Sequence, residues 1–341
     1  MPPLVSVVMP VYNVDKYLND AIDSILNQSY KDFVFYIIND GSTDRSEDVI
    51  LSYNDERIIY LKNTFNQGYI KCLNQAIDVI DSKYIIRMDS DDISLPTRIE
   101  KQLAYMEMHT NVVVCGSSRI NFYPEVHRKD VFMKAITEKN KLFVNSIFNT
   151  SLHHPSVIIR TEILKNFNLR YQERYYYAED KALWLDLAAY GDLANIEEAL
   201  LRYRIHYNQV SYQYTLIQKD NSVNCSYAFL LKMGIKLNEE DKPYLLKLCY
   251  ERKCENTEDI AALESLVLSI MVQAKELGLE SYSELCTNLR NRFKSSILKS
   301  SRIGARILKE IYHSRLVSIK DLDLMFYVKT TVRTFVDFEI R

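Results

Sequence analysis

YIIRMDSDD, residues 84–92, passes within nine positions from a β-rich run, Tyr84 to Met88, to three carboxylates, Asp89, Asp91 and Asp92. Toward the N-terminus, LVSVVM (4–9), FVFYII (33–38) and RIIYL (57–61) carry the same strand signal. Helix-period segments at about 15–28, 44–53 and 68–81 separate them. Strand alternating with helix predicts parallel pairing through right-handed crossovers. Unbroken apolar runs such as VSVVM predict a sheet covered on both faces. Ligands of such sheets bind beyond the carboxyl ends of the strands, so the residues that follow each strand carry the chemistry.

Three polar clusters stand in those places: Pro10-Val11-Tyr12-Asn13, Asn39-Asp40-Gly41-Ser42-Thr43-Asp44 and Asp89-Ser90-Asp91-Asp92. Three carboxylates within four residues repel one another unless a cation or donor groups compensate, and Mg2+ or Mn2+ prefers such hard oxygens. An Asp-rich turn capping a helix near Pro96 would explain the string alone. Its position at a strand end, facing two other polar strand ends, favours a metal site. NDGSTD admits two readings: a tight turn at Gly41 with Ser42, Thr43 or Asp44 capping a helix, or Asp40 accepting from a nucleobase N–H.

Composition bounds the alternatives. A chain of 341 residues predicts about two domains, and 47% hydrophobic with 26% charged residues is a globular balance. Seven Gly and seven Pro exclude collagen-like and low-complexity architectures, and a net charge of −2 gives no reason to expect nucleic acid. The six cysteines form no CxxC pair, which fits a reducing compartment. Without a signal-like N-terminus or a run of roughly 18 apolar residues, a cytoplasmic protein is expected. No GxGxxG follows the first strand and no GxxxxGK[ST] occurs, so dinucleotide and P-loop readings lose their physical support.

The ordered series VSVVMPVYNVDKYLNDAIDSILNQSY, INDGSTDRS, NQGYIKCLNQAI, YIIRMDSDD and LPTRIEKQ resembles the family 2 glycosyltransferases over about residues 4–210. The resemblance implies an α/β GT-A domain, 1–218, with a mostly parallel nucleotide-binding sheet flanked by helices. It also implies inverting transfer of a hexose or N-acetylhexosamine from a UDP-sugar to a hydroxyl of a glycan or lipid-linked acceptor, in bacterial surface-polysaccharide assembly. By that pattern Pro10, Val11 and Tyr12 cradle the uridine and Asp40 meets the uracil, while Asn66, Gly68 and Lys71 border the nucleotide. Asp89, with Ser90 beside it, falls near the ribose or metal. Asp91, with Asp92 and His206, is assigned to Mn2+ or Mg2+. The Glu-Asp motif at 179–180 makes Asp180 the general base and Glu179 its orienter or an acceptor contact, although acidic residues also suit a helix start. His154 and Trp184 are candidates for the acceptor side, with helix-core packing an equal reading for Trp184, and Arg204 for the diphosphate, whereas Arg98 is expected to be structural.

No Gln-x-x-Arg-Trp sequence accompanies these motifs, so a single-addition enzyme is expected rather than a processive synthase. Two rivals remain: a nucleotidyltransferase with a related core, and a non-catalytic sugar-nucleotide-binding scaffold. Residues 219–341 predict a helical domain with an acceptor, membrane-surface or dimerisation role. Within it, residues 286–320 carry nine basic side chains against Glu310 alone, with Leu289, Phe293, Ile297, Ile307 and Ile311 at helix spacing. Such a pattern suits either an anionic membrane surface, a homodimer contact or a helix with its stripe packed inward.

Overall fold

The computed structural model describes residues 3–206, 214–304, 306–318, 320, 326–328, 330 and 331. The chain divides into one compact unit of residues 1–146 and 150–218 and a second of 147–149 and 219–341. The first opens with β1 (Val5–Val11), α1 (Asp15–Leu26), β2 (Phe33–Asn39), α2 (Ser46–Leu51), β3 (Ile58–Lys62), α3 (Tyr69–Val79) and β4 (Tyr84–Arg87). These are the strands and helices that the hydrophobic periodicity predicts. There follow β5 (Ile93–Ser94), α4 (Arg98–Met108), β6 (Val112–Phe122), β7 (Val131–Met133), α5 (Lys139–Phe148), β8 (Ile158–Arg160), α6 (Thr161–Asn166), α7 (Glu179–Leu187) and β9 (Asp192–Arg204).

All these strands join one sheet in the order β3-β2-β1-β4-β8-β6-β9-β5, with β7 paired to β6. The pairs β1–β2, β1–β4 and β2–β3 are parallel. Beyond β4 the sheet is mixed: β8 runs antiparallel to both β4 and β6, while β9 lies parallel to β6. Regular strand-helix-strand connections end at β4, and with them the all-parallel pairing. Every residue of β1 is buried. Val5, Val7, Met9 and Val11 pack with Leu18 and Ile22 of α1, and Val8 packs on the opposite side with Ile70, Leu73 and Ile77 of α3. Alternate side chains thus enter two separate cores, which is why the strand sequence is apolar throughout.

Register aligns the strand ends that matter. Val11 lies opposite Asn39 and Val8 opposite Arg87, so the segments after β1, β2 and β4 emerge side by side. Gly41, with φ +70°, permits the turn after β2 to press on the loop after β3, where an added Cβ would come within 2.7 Å of the Phe65 backbone. The acidic loop is fixed from below by Arg98 and Gln102 of α4, both fully buried. Arg98 donates to the Arg87 carbonyl at 2.7 Å and to Gln102 Oε1 at 3.0 Å. Gln102 in turn donates to the carbonyls of Cys115 and Ser156.

The second unit is helical: α8 (Thr215–Lys232), α9 (Lys242–Tyr250), α10 (Thr257–Glu276), α11 (Tyr282–Lys299) and α12 (Arg306–His313), with the division falling inside the first turn of α8. Leu289, Phe293, Ile297, Ile307 and Ile311 are all buried, while Arg290, Lys299, Arg302, Arg306 and Lys309 are exposed. The stripe that a membrane-lying helix would insert is therefore spent on helix packing, and only the basic side chains remain for an anionic surface. Among the described residues no helix is long and apolar enough to cross a membrane. All six cysteines are free and buried.

Candidate functional site

At the end of β1, Pro10 and Val11 are buried and Tyr12 is exposed. The Val11 carbonyl accepts from Asp40 N at 2.8 Å, which ties the ends of β1 and β2 together. Asp40 is itself buried, with Oδ1 accepting from Asn63 Nδ2 (2.8 Å) and Gln67 N (3.0 Å) and Oδ2 from Gly68 N (2.8 Å). Its carboxylate thus fastens the 66–68 turn, which Asn66 Oδ1 closes by accepting from Gly68 N. Gly68 has φ +92°, and a Cβ there would stand 2.9 Å from the Tyr176 hydroxyl. Asp44 accepts from Asp15 N and Ser46 N, so it holds the start of α1 as well as the approach to α2. Lys71 is exposed on α3 with its ammonium 4.0 Å from Glu173.

The three Asp side chains after β4 offer oxygens within 4.8 Å of one another. Each has a partner. Asp89 pairs with Arg87 Nη1 at 2.5 Å, and Asp91 Oδ2 lies 2.9 Å from His206 Nε2. Asp92 Oδ1 accepts from Arg204 N at 2.9 Å. Arg204 also donates to the Asp91 carbonyl (2.6 Å) and to Asp20 (2.8 Å), which holds the end of β9 against the acidic loop. Asp92 Oδ2, by contrast, is buried with no hydrogen-bond partner. Burial and the nearby Asp91 and Asp89 charges push Asp92 well above the usual carboxylate range. Burial raises Asp89 as well, against the pull of Arg87. An orphaned oxygen beside two further carboxylates is a donor set that fits Mg2+ or Mn2+, and such a cation would hold all three ionised.

Glu179 and Asp180 begin α7. Glu179 is buried, its Oε2 has no hydrogen-bond partner, and Tyr69 and His154 lie beside it, with His154 Nδ1 3.9 Å from Oε1. Burial, reinforced by the Asp180 charge, raises its pKa to about 8. Asp180 is half-buried and accepts from Lys181 N at 2.6 Å. Burial raises it to about 6, while that N–H and the Arg87 guanidinium pull the other way. A carboxylate near neutrality in its pKa is suited to proton transfer.

The two acceptor-side candidates differ in their surroundings. Trp184 is 1% exposed and packs with Leu183, Leu187 and Leu193, so it belongs to the core and lines no open pocket. His154 is held by the Tyr171 hydroxyl at 3.0 Å and stacks edge-on to Trp184. Burial, and then Arg87, keep it well below the usual histidine range and hence neutral. Arg87 is the residue that sequence reasoning missed. It is 5% exposed, pairs with Asp89 and acts electrostatically on Asp92, Glu179 and Asp180. The available signal was a lone charge inside the apolar run YIIRM.

Residues 6–167 match the family model described as glycosyl transferase family 2. A glycosyltransferase of Haemophilus influenzae, itself uncharacterised, is 33% identical over 269 residues, covering 74% of this chain and 82% of that protein. The Escherichia coli UDP-Glc:α-D-GlcNAc-diphosphoundecaprenol β-1,3-glucosyltransferase WfaP is 31% identical over 214 residues, covering 61% and 80%. Among solved structures, Staphylococcus aureus TarS 1–349 in complex with UDP-GlcNAc aligns with a TM-score of 0.56 at 18% identity, covering 99% of this chain and 92% of that one. That likeness, together with the sheet order, shows the GT-A type of fold.

Proposed function

Because the chain belongs to the family 2 glycosyl transferases, we propose that it transfers a hexose or N-acetylhexosamine from a UDP-sugar to a hydroxyl of a glycan or lipid-linked acceptor, with inversion, in polysaccharide assembly. The observation that carries this reading is the pairing of two acidic groups of opposite use around Arg87. On one side, Asp89, Asp91 and Asp92 present oxygens within 4.8 Å of one another. On the other, Asp180 is a carboxylate raised to about 6.

A divalent cation held by the Asp trio would stabilise charge developing on the departing diphosphate. Arg204 and His206 orient that trio through Asp91 and Asp92. Pro10, Val11, Tyr12, Asp40 and the 66–68 turn offer a uridine cradle at the ends of β1, β2 and β3, with Asp40 fastening the turn through Gly68 N. Asp180, ionised above about pH 6, would take the acceptor's hydroxyl proton. The protonated Glu179 beside it can donate a hydrogen bond without adding charge. WfaP's name specifies UDP-Glc and TarS was solved with UDP-GlcNAc, which supports the choice of uridine.

Calorimetric titration of the full chain with UDP, GDP and dTDP, each with and without Mn2+, tests this. UDP should bind only with metal, and Asp91→Asn should abolish it. A folded sample that binds no nucleotide would overturn the reading in favour of a scaffold.

A further inference from the structure

Four arginines of the first unit are buried on both flanks of the sheet and each meets an acceptor. Arg98 reaches the Arg87 carbonyl and Gln102, and Arg160 the carbonyls of Val112 and Met106 together with the Tyr84 hydroxyl. Arg204 reaches Asp20 and the Asp91 carbonyl, and Arg87 pairs with Asp89. Arg119, on β6, is the exception. Among the described residues it has no ion pair and no side-chain hydrogen bond, and its Nε, like that of Arg87, is sealed from solvent without a partner. Its guanidinium lies 4.2 Å from the centre of the Tyr203 ring, a contact that tolerates a cation without neutralising it. Asn121, two residues along the same strand and so on the same face, has an Oδ1 that is likewise buried and unpartnered. Arg119 and Asn121 are each half-buried, and a polar atom sealed without a partner is costly, so such atoms persist where a ligand completes the site.

The position of this pair indicates which ligand. Arg119 stands opposite Leu201, Asn121 opposite Tyr203, and the next residue, Phe122, opposite Arg204, which holds Asp91 and Asp92. Along β6, Asn121 therefore lies one residue and Arg119 three from the position opposite Arg204, on the β6–β9 side of β4. The proposed uridine cradle occupies the β1–β3 side, across β4 in the sheet order. The Asp92 charge reaches Arg119, and Arg119 in turn acts on His153, whose pKa burial lowers to about 3. A neutral imidazole there offers a hydrogen bond and no competing charge.

We propose that Arg119, with Asn121 and His153, recognises an anionic substituent, a carboxylate or a phosphate, on the acceptor sugar. This rests on the glycosyltransfer reading for the word acceptor, but the anion preference can be measured without it. A charge-assisted hydrogen bond of this kind corresponds to about 10–100-fold in affinity.

Full-length protein, with and without UDP and Mg2+, is titrated by saturation-transfer NMR with methyl glucoside, methyl glucuronide and glucose 6-phosphate. The charged probes should bind about tenfold or more tightly than the neutral one. Arg119→Gln should erase that preference while metal-dependent UDP binding persists, which also shows that the variant is folded. Arg119→Lys should restore part of it. A preference for glucuronide alone or for phosphate alone identifies which anion the site takes. Equal binding of neutral and charged probes by the wild type, or an unchanged preference in Arg119→Gln, overturns the proposal. Loss of UDP binding in that variant, with the fold intact by circular dichroism, would also overturn it by making Arg119 a donor contact. If the wild type binds no UDP, glycosyltransfer fails as a reading, and the glycoside titrations still decide the anion preference.

Discussion

Replacing Glu179 by Gln removes one titration and very little volume, and the structure sets the size of the effect. Glu179 moves from an ordinary value of 4.5 to about 8 on folding because it is buried next to Asp180. Between those two values the folded chain holds a proton there that the unfolded chain has released, so stability falls as pH rises and levels off above about 8. From about pH 5 to about pH 8, three pH steps at roughly 1.4 kcal/mol each give an upper bound of roughly 4 kcal/mol. The Gln variant lacks this dependence, while Asp180 titrates in both proteins and largely cancels in the difference. The two should agree within about 1 kcal/mol near pH 5, where the Glu is neutral and nearly isosteric with Gln. The variant should then gain progressively on the wild type toward pH 8. Urea unfolding read by tryptophan fluorescence is the assay, because Trp184 is the only tryptophan and is buried in the same helix. Its signal therefore reports the unfolding of the first unit. A constant offset between the two proteins across pH, or a wild type that gains on the variant as pH rises, would refute the reasoning.

Asp180→Asn should lower turnover by about 10²–10⁴-fold while leaving the UDP dissociation constant in place; near-normal turnover would remove Asp180 as the base. In the wild type, turnover should climb as pH passes about 6, where Asp180 loses its proton, and a rate flat from pH 5 to pH 8 would contradict that assignment. Arg98→Met should cost roughly 1–3 kcal/mol in the same unfolding assay, because the Arg87 carbonyl and Gln102 lose a buried donor. Arg98 is itself lowered to about 9 by burial, so removing its charge recovers part of that cost, and a loss far above this range would mean the acidic loop collapses.

The parallel half of the sheet was legible because its signals are local: four apolar runs, three amphipathic helices and polar residues at each strand end. Parallel pairing through right-handed crossovers follows from them, and with it the meeting of Asp40 and the Asp trio at one edge, whereas the placing of β4 beside β1 is seen only in the structure. What lay beyond β4 was not legible. β8 has three residues and β5 two, too short for any period, and the pairing of β6 with β9 joins segments about eighty residues apart. The same limit governs the site. Asp89, Asp91 and Asp92 announce themselves by adjacency, but the partner that decides each one is distant in sequence, as Arg204 is from Asp92. Trp184 admitted two readings from sequence, a pocket wall near an acidic motif or helix-core packing, and its helix turns that side chain into the core. Arg119 left no mark at all, since only the tertiary structure shows which arginines have found acceptors.

Arg87 explains how two carboxylate groups with conflicting surroundings can both work. The Asp trio must be ionised to hold a cation, and Asp180 must be ionised to accept a proton, yet burial raises Asp89, Asp92 and Asp180 alike. One guanidinium at the end of β4 opposes that burial at every one of them, and its pairing with Asp89 raises its own pKa further. Glu179 feels the same field but lies deeper and beside Asp180, and its pKa stands at about 8. The division of labour within the Glu-Asp pair thus follows from burial more than from residue type: the half-exposed member ionises near pH 6 and the sealed member does not. A strand that placed an apolar side chain at position 87 would remove the guanidinium that opposes burial at Asp89, Asp92 and Asp180 together, and the pKa of each would rise further.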